Sequence, residues 1–421
     1  MSFREWREWL SELPWILRWF PLLVLFRPLA DNLYFLKEVS PLLSPPYIIG
    51  VLTPVLCIAA LVRFRLPART SGEGAFLWWS LLLLNAALFT VFYDPLSLLS
   101  VEFMLKLAMP VYLFFFLRIF IRTRRDLHGI LNAFLYSAVF VAALLLYEIL
   151  INPISLEDSR GLMRIQGSFG DVVSYGMYII FTTIITVYYF FSRKNEVPIS
   201  KLTQLVVIVA AVSILGLINI HHTATYTNFI LIFGLFFVFS LRTRFKSVGL
   251  GLMLAAGILF SFFGSEIVAE RITPLIETDF AVYRGEKASD QLLHGRMGRW
   301  RMMLGNFRSE PLHVQFFGYP VSLNYTYSYT GIGSHNDFLR ILFATGIAGL
   351  FLYLRFLSLT LMRVRRFGKA QQFLCVASGT VLLFYSVSIT PTFYAPFLYF
   401  ILAVFAFALL PEKDRTAWKN P

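Results

Sequence analysis

The residues best suited to chemistry lie in Gly331-Ile332-Gly333-Ser334-His335-Asn336-Asp337-Phe338-Leu339-Arg340, where a polar stretch gives way to a long apolar run. A histidine at that junction can accept or release a proton near neutral pH. Ser334, three residues before Asp337, has the spacing of a capping box, which sets a helix start close to the imidazole. The positive end of the helix dipole then disfavours the imidazolium and leaves the neutral ring that a general base requires. An interfacial capping histidine would occupy the same position, so the residues gathered around it decide between the two roles. Asn336, next to the imidazole, is a further candidate for substrate contact.

Cationic groups come next. The stretch 152–171 carries Arg160 and Arg164, followed by Gly167 and Gly170, whose backbone freedom lets a loop fold back on itself. Pairing with Glu157 and Asp158 on a solvated loop is the competing explanation. The segment His294 to Arg308 predicts a short helix with Trp300, Met303, Leu304 and Phe307 on one stripe. Arg296 opens that stripe, Arg299 flanks it, and Arg301 and Arg308 project to the other side. A guanidinium on a buried face requires an anionic partner. Few carboxylates are near in sequence, and phosphate suits arginine because it is bound bidentately. Tyr325, Tyr327 and Tyr329 alternate just before His335 and either stack on sugar faces or form an aromatic belt at a membrane interface.

The elements that position these groups are membrane helices. The chain of 421 residues is 57% hydrophobic and 14% charged, more apolar surface than one soluble core hides, so it reads as an all-α polytopic membrane protein. Apolar stretches at 13–29, 46–62, 75–92, 99–121, 129–151, 172–191, 202–220, 226–241, 247–263, 336–361, 371–390 and 396–410 predict about twelve spans. The first is interrupted by Arg18 and Arg27. A net charge of +13 would suggest nucleic acid in a soluble protein, but here the basic residues sort by loop, so no nucleic-acid partner is expected and the lipid bilayer is. Basic clusters around Arg4, Arg63, Arg118 to Arg125, Arg193, Arg242, Arg363 to Lys369 and Lys413 fall on every second connection. One alternating path therefore puts both termini in the cytoplasm. It sends 30–45, 93–98, 152–171, 221–225, 264–335 and 391–395 outward. The chain reads as a single membrane domain, 1–421, with the long outward insertion 264–335 carrying short helices.

Cys57 and Cys375, the two cysteines, fall inside expected spans and read as small apolar fillers. Residues 1–30 lack a small-residue cleavage site and read as an uncleaved signal anchor. His221-His222 lacks further ligands at metal spacing, and Glu277 with Asp279 in a polar loop is nearly uninformative, so no metal site is expected. Glu102 and Lys106, one helical turn apart, read as self-paired interfacial charges. Phosphate-cradling, nucleophile-elbow and redox motifs are missing from the sequence.

Four elements in order resemble the O-antigen ligase/polymerase family of bacterial envelope glycosyltransferases. They are Arg164-x-x-Gly167-Ser168-Phe169, Gly295-Arg296-x-x-x-Trp300, Pro311 through Gly318-Tyr319, and His335-Asn336-Asp337-x-Leu339-x-x-Leu342 with Gly346-Ile347-x-Gly349. The resemblance covers roughly the C-terminal two thirds; the first five spans match in hydropathy only. Where the family often has Ser-Arg at the start of the eighth span, this chain has Thr225-Tyr226. The resemblance implies a C-type membrane glycosyltransferase fold and a metal-independent, inverting transfer without cofactor. Its donor would be a glycan on undecaprenyl diphosphate, at the periplasmic face of a bacterial inner membrane. Arg164 and Arg296, with Arg299 beside them, would hold the diphosphate, and His335 would take the proton of the acceptor hydroxyl. Arg160, Asn336, Tyr325 and Tyr327 would be possible substrate contacts. The acceptor is a growing glycan or repeat unit for a polymerase and lipid A-core for a ligase; His-Asn-Asp-x-Leu-Arg looks closer to the polymerases. Other polysaccharide-assembly proteins would be natural partners. A secondary transporter and a non-catalytic scaffold are the readings from other classes. Neither calls for Arg164, Arg296 and His335 on one face.

Overall fold

The computed structural model describes residues 2–67, 70–93, 97–151, 155–157, 163–165, 169, 171–192, 212–217, 219–243, 245–254, 258, 273–293, 295–318 and 334–410. Among these residues, seven helices are long and apolar enough to cross a membrane: Pro45–Arg63, Ser100–Phe120, Arg124–Leu150, Val172–Ser192, Thr223–Leu241, Asp337–Val364 and Lys369–Ser388. Shorter apolar helices run over Gly72–Leu88 and Ala395–Ala408. The molecule is a polytopic α-helical membrane protein. Helix is also found in the other expected stretches, at Trp15–Asn32 and at 212–217, 219–220 and 246–254.

Ala395–Ala408 is the central column. Its residues from Phe397 to Ala408 are all buried, ringed by Trp15–Asn32, Leu98–Phe120, Arg124–Leu150, Val172–Ser192, Asp337–Val364 and Lys369–Ser388. A helix apolar on every face has no solvent or lipid side and belongs in the middle of such a bundle. Both cysteines are free and buried, as expected of small fillers.

One helix was not foreseen. Phe3–Glu12 starts with a capping box between Ser2 and Glu5 and buries Trp6 and Trp9. The Trp6 indole donates to the Gly129 carbonyl at 2.8 Å, and the Trp9 ring fills the space a side chain at Gly129 would need. The arginines that interrupt the first expected span both have partners. Arg18 donates to the carbonyls of Leu13 and Ser11 at 2.8 and 2.7 Å, closing the end of the preceding helix, while Arg27 pairs with Asp31 at 2.8 Å.

Two of the basic clusters, those at Arg65 and at Arg118 to Arg125, meet in space. Arg122 donates to the Arg65 carbonyl at 2.8 Å, Arg125 pairs with Glu12, and buried Arg118 binds both Glu73 and the Ala406 carbonyl. Tyr34, Lys37, Phe169, Asp171, Ser334, His335, Ile389 and Tyr394 meet around a cavity elsewhere in the bundle.

The helix Asp337–Val364 breaks at Gly346, with φ 67° and ψ −174°. The helix Leu312–Phe317 ends against this break, its Gly318 at φ 83°. Main chain lies on main chain here: a Cβ on Gly346 would overlap the Phe316 carbonyl, and one on Gly318 the Ala344 carbonyl. Two glycines 28 positions apart in sequence are thus required by one contact. Gly346→Ala is expected to cost about 1–3 kcal/mol for the backbone region alone, before the overlap is counted. Gly305, helical with open space around its Cα, gains about 0.5–1 kcal/mol from the same change. Thermal unfolding in detergent, followed by size-exclusion recovery, should drop for Gly346→Ala and hold or rise for Gly305→Ala.

Candidate active site

A cavity of about 800 Å³ holds His335 and Ser334, with Arg340 from the helix that follows. Its lining also includes Arg27, Asp31, Tyr34, Lys37, Tyr47, Glu102, Lys106, Asp171 and the aromatic rings of Phe169, Phe393 and Tyr399. Connections assigned outward by charge contribute most of the loop residues.

His335 sits in the left-handed region at φ 46°, an uncommon backbone state for a residue with a Cβ. Neighbouring bonds hold it there. The Ser334 hydroxyl donates to the Asn336 carbonyl at 3.1 Å and accepts from the Asn336 N–H at 3.3 Å, bridging over the histidine. The Trp300 indole N–H donates to the Ser334 carbonyl at 2.7 Å. These bonds correct the expected capping box. Asn336 is the N-cap, its Oδ1 accepting from the Leu339 N–H at 3.1 Å, whereas Asp337 turns inward. The reason is Arg340, buried at 6% exposure, which needs a carboxylate: Asp337 Oδ1 accepts from Arg340 Nε at 2.9 Å and from Thr392 Oγ1 at 2.8 Å. Arg340 also bonds Thr392 directly and lies over the Phe393 ring at 3.8 Å.

The imidazole is exposed to the cavity. Protein packed around it removes solvation from the charged form, and the nearby charges of Arg296 and Arg299 add repulsion, so its pKa lies below the ordinary value. The ring is therefore neutral down to a lower pH than a free histidine. Burial and arginines account for this, where the sequence pointed to the helix dipole.

The helix Arg296–Ser309 places those arginines. Met303 and Phe307 are buried against Leu339, Leu342 and Phe343, with Trp300 and Leu304 packed beside them. Phe307 meets Phe343 edge-on at 5.2 Å. The expected stripe is the face that docks on the segment after His335. Arg301, on the other side, pairs with Asp290 at 2.8 Å, and Arg308 is exposed. Arg296 was expected to require an anion. The structure gives it the Ser388 carbonyl at 2.8 Å, at the negative end of Lys369–Ser388. Arg299 donates to the Gly295 carbonyl at 3.3 Å.

Other expected contacts divide. Arg164 lies opposite Leu156 in a two-stranded antiparallel ribbon of Ser155–Glu157 with Met163–Ile165, so the stretch is more ordered than a plain loop. Arg160, Tyr325 and Tyr327 lie outside the described residues. At the departure from the family pattern, Thr225 is buried between His222 and Tyr385, its hydroxyl 2.8 Å from the His222 ring Nδ1 and 3.3 Å from the Tyr385 hydroxyl. Tyr226, where the family pattern has arginine, donates its hydroxyl to the Leu217 carbonyl at 2.9 Å.

Sequence reasoning missed several cavity residues, among them Asp171 and Arg340. Asp171 caps Val172–Ser192, its carboxylate accepting from the Ser174 N–H at 2.8 Å and hydroxyl at 2.7 Å. Burial raises its pKa, with the Ser174 bonds opposing. Arg340 carried a usable signal: an ionisable pair three residues apart inside an apolar run is a functional-site hypothesis by default. Asp171 carried only that of an ordinary helix cap. Glu102 and Lys106 are paired at 2.6 Å as expected, and they too line the cavity.

Compared with protein-family models and with curated proteins, the chain matches neither a family model nor a curated relative.

Proposed function

We propose that this protein is a C-type, inverting membrane glycosyltransferase of about twelve spans, polymerising lipid-linked repeat units at the outer face of a bacterial inner membrane. The observation that carries this is His335, neutral by environment, on a cavity of about 800 Å³ with Arg296 and Arg299 close enough to depress its pKa. A cavity of that size accommodates sugar rings. In the reaction, the acceptor hydroxyl oxygen attacks the anomeric carbon of the donor while His335 takes the hydroxyl proton. The bond from that carbon to the diphosphate oxygen breaks, and its electron pair leaves on undecaprenyl diphosphate. Arginines fixed beforehand stabilise that charge; Arg296 and Arg299 are the described candidates, with Arg164 from the ribbon. The second reading keeps the same donor chemistry but delivers a finished glycan to lipid A-core, as a ligase.

The deciding experiment compares glycans from a deletion strain carrying the wild-type gene or His335→Ala at matched membrane levels. Lipid-linked and lipid A-linked material is analysed separately. Loss of long chains while single repeats still reach lipid A identifies a polymerase; long chains stranded on the carrier identify a ligase. A normal profile with His335→Ala rejects both and reopens the transporter.

The electrostatics around His335 set a pH dependence. A general base fails when protonated, so the rate falls on the acid side through the histidine pKa, here below 6.5. Arg299→Gln removes a like charge and should move that limb upward, towards the ordinary value. A pH profile of transfer by purified protein checks this; a limb that stays or moves down means the arginine does not act on the base.

A further inference from the structure

Residues 34–47 and 102–106 form a part of the cavity lining to which no role has been attached, and they belong to the spans where the family resemblance is one of hydropathy only. Lys106 Nζ lies 2.6 Å from Glu102 Oε1, and Lys37 Nζ lies 4.0 Å from Glu102 Oε2. Two ammonium groups thus face one carboxylate, a surplus of one positive charge within the group. Lys37 also lies over two aromatic rings, 5.5 Å from the centroid of Tyr34 and 5.6 Å from that of Tyr47. Its nitrogen is 3.4 Å from the Tyr34 hydroxyl. The three charged side chains are each partly accessible, at 33%, 20% and 47%, so a ligand can reach them.

Surplus cationic charge and paired tyrosines suit different parts of one ligand. The ammonium groups fit a carboxylate, which would restore the charge balance, and the ring faces fit the apolar face of a sugar. We propose that Tyr34, Lys37, Tyr47 and Lys106 form a subsite for an acidic sugar, a uronic acid or its equivalent, in the glycan that enters this cavity. A lipid headgroup phosphate would satisfy the lysines but offers no apolar face for the rings to stack on. On the transferase reading, this subsite selects the glycan handled at His335; the recognition of an acidic sugar rests on that reading only for its purpose.

The test uses the full chain in phosphatidylcholine nanodiscs and three probes: a tetrasaccharide ending in glucuronic acid, its glucose-ended counterpart, and phosphatidylglycerol. Binding is read by saturation-transfer NMR for the saccharides and native mass spectrometry for the lipid. The acidic tetrasaccharide should bind at least about tenfold more tightly than the neutral one, the effect of one charge-assisted hydrogen bond. Lys37→Gln and Lys106→Gln should each reduce that preference and together remove it, at elution profiles matching wild type. Both positions are partly accessible, and glutamine removes the charge while keeping a polar side chain only one atom shorter. His335→Ala should keep the preference.

Equal affinity for both saccharides, or a preference that survives the double variant, overturns the proposal. So does lysine-dependent binding of phosphatidylglycerol without saccharide binding, which identifies a headgroup site. The two ideas separate cleanly. Loss of transfer in His335→Ala with no acidic-sugar preference leaves the transferase standing and removes the subsite; normal transfer in His335→Ala with a lysine-dependent preference does the reverse.

Discussion

His335→Ala is expected to lower transfer by two to four orders of magnitude, the usual contribution of a positioned general base, about 10²–10⁴. The loss should appear in turnover more than in substrate binding, because the imidazole acts on a proton that moves only in the transition state. Folding should survive, since the ring is exposed to the cavity and its neighbours are held by other bonds: Trp300 to Ser334, Ser334 to Asn336, and Asn336 to Leu339. Alanine is still uncomfortable at φ 46°, so His335→Asn, a residue more tolerant of the left-handed region, is the better-folded companion and should be equally inactive. Transfer by either variant at a substantial fraction of the wild-type rate, at matched membrane levels, removes the histidine from the chemistry. A variant lost from the membrane altogether would instead show that the turn at 334–336 is structural first, and His335→Asn distinguishes that outcome from the first.

The largest stability effect is expected elsewhere in the bundle. Arg118 and Glu73 form an ion pair with side chains 1% and 8% exposed, and Arg118 Nη1 also donates to the Ala406 carbonyl at 3.1 Å. Together they tie three helices: Ser71–Tyr93, Leu98–Phe120 and the central Ala395–Ala408. Glu73 is also the cap of its own helix, accepting from the Thr70 N–H at 2.5 Å. Removing one member leaves the other charge buried without compensation, which costs about 3–5 kcal/mol. Glu73→Leu and Arg118→Leu should therefore each fall sharply in thermal unfolding and membrane yield. The double leucine variant should recover much of the loss, because replacing a whole buried pair with apolar groups is often close to neutral. If the double variant is as poor as the sum of the singles, the pair is not acting through buried charge and the cap at Thr70 explains the effect.

Much of the frame was legible before any coordinates. Membrane helices announce themselves because hydrocarbon admits only long apolar segments with internally satisfied backbone, and that demand is written residue by residue. The stripe Trp300, Met303, Leu304 and Phe307 was legible for a similar reason, since the 3.6-residue period is local. Gly318 and Gly346 were noticed as separate marks, and only packing shows that they answer one another across a main-chain contact. Asp337 was misread because its spacing to Ser334 is locally ideal for a capping box, yet a buried arginine one turn later has the stronger claim on a carboxylate. In the sequence Arg27 interrupts the first expected span, and Glu102 and Lys106 read as self-paired interfacial charges. Their presence on the lining that holds His335 depends on the meeting of five separate chain segments.

The amino-acid sequence by itself determined that this chain is built of membrane helices and which histidine stands at a helix entrance, because hydropathy and periodicity are properties of short stretches. Tertiary structure alone decided what surrounds that histidine: burial and two arginines that lower its pKa, and a cavity shared with a clamped Arg340 and with a lysine and tyrosine group from the first spans. Those are contacts between residues tens to hundreds of positions apart, and a cavity has no representation in any local pattern.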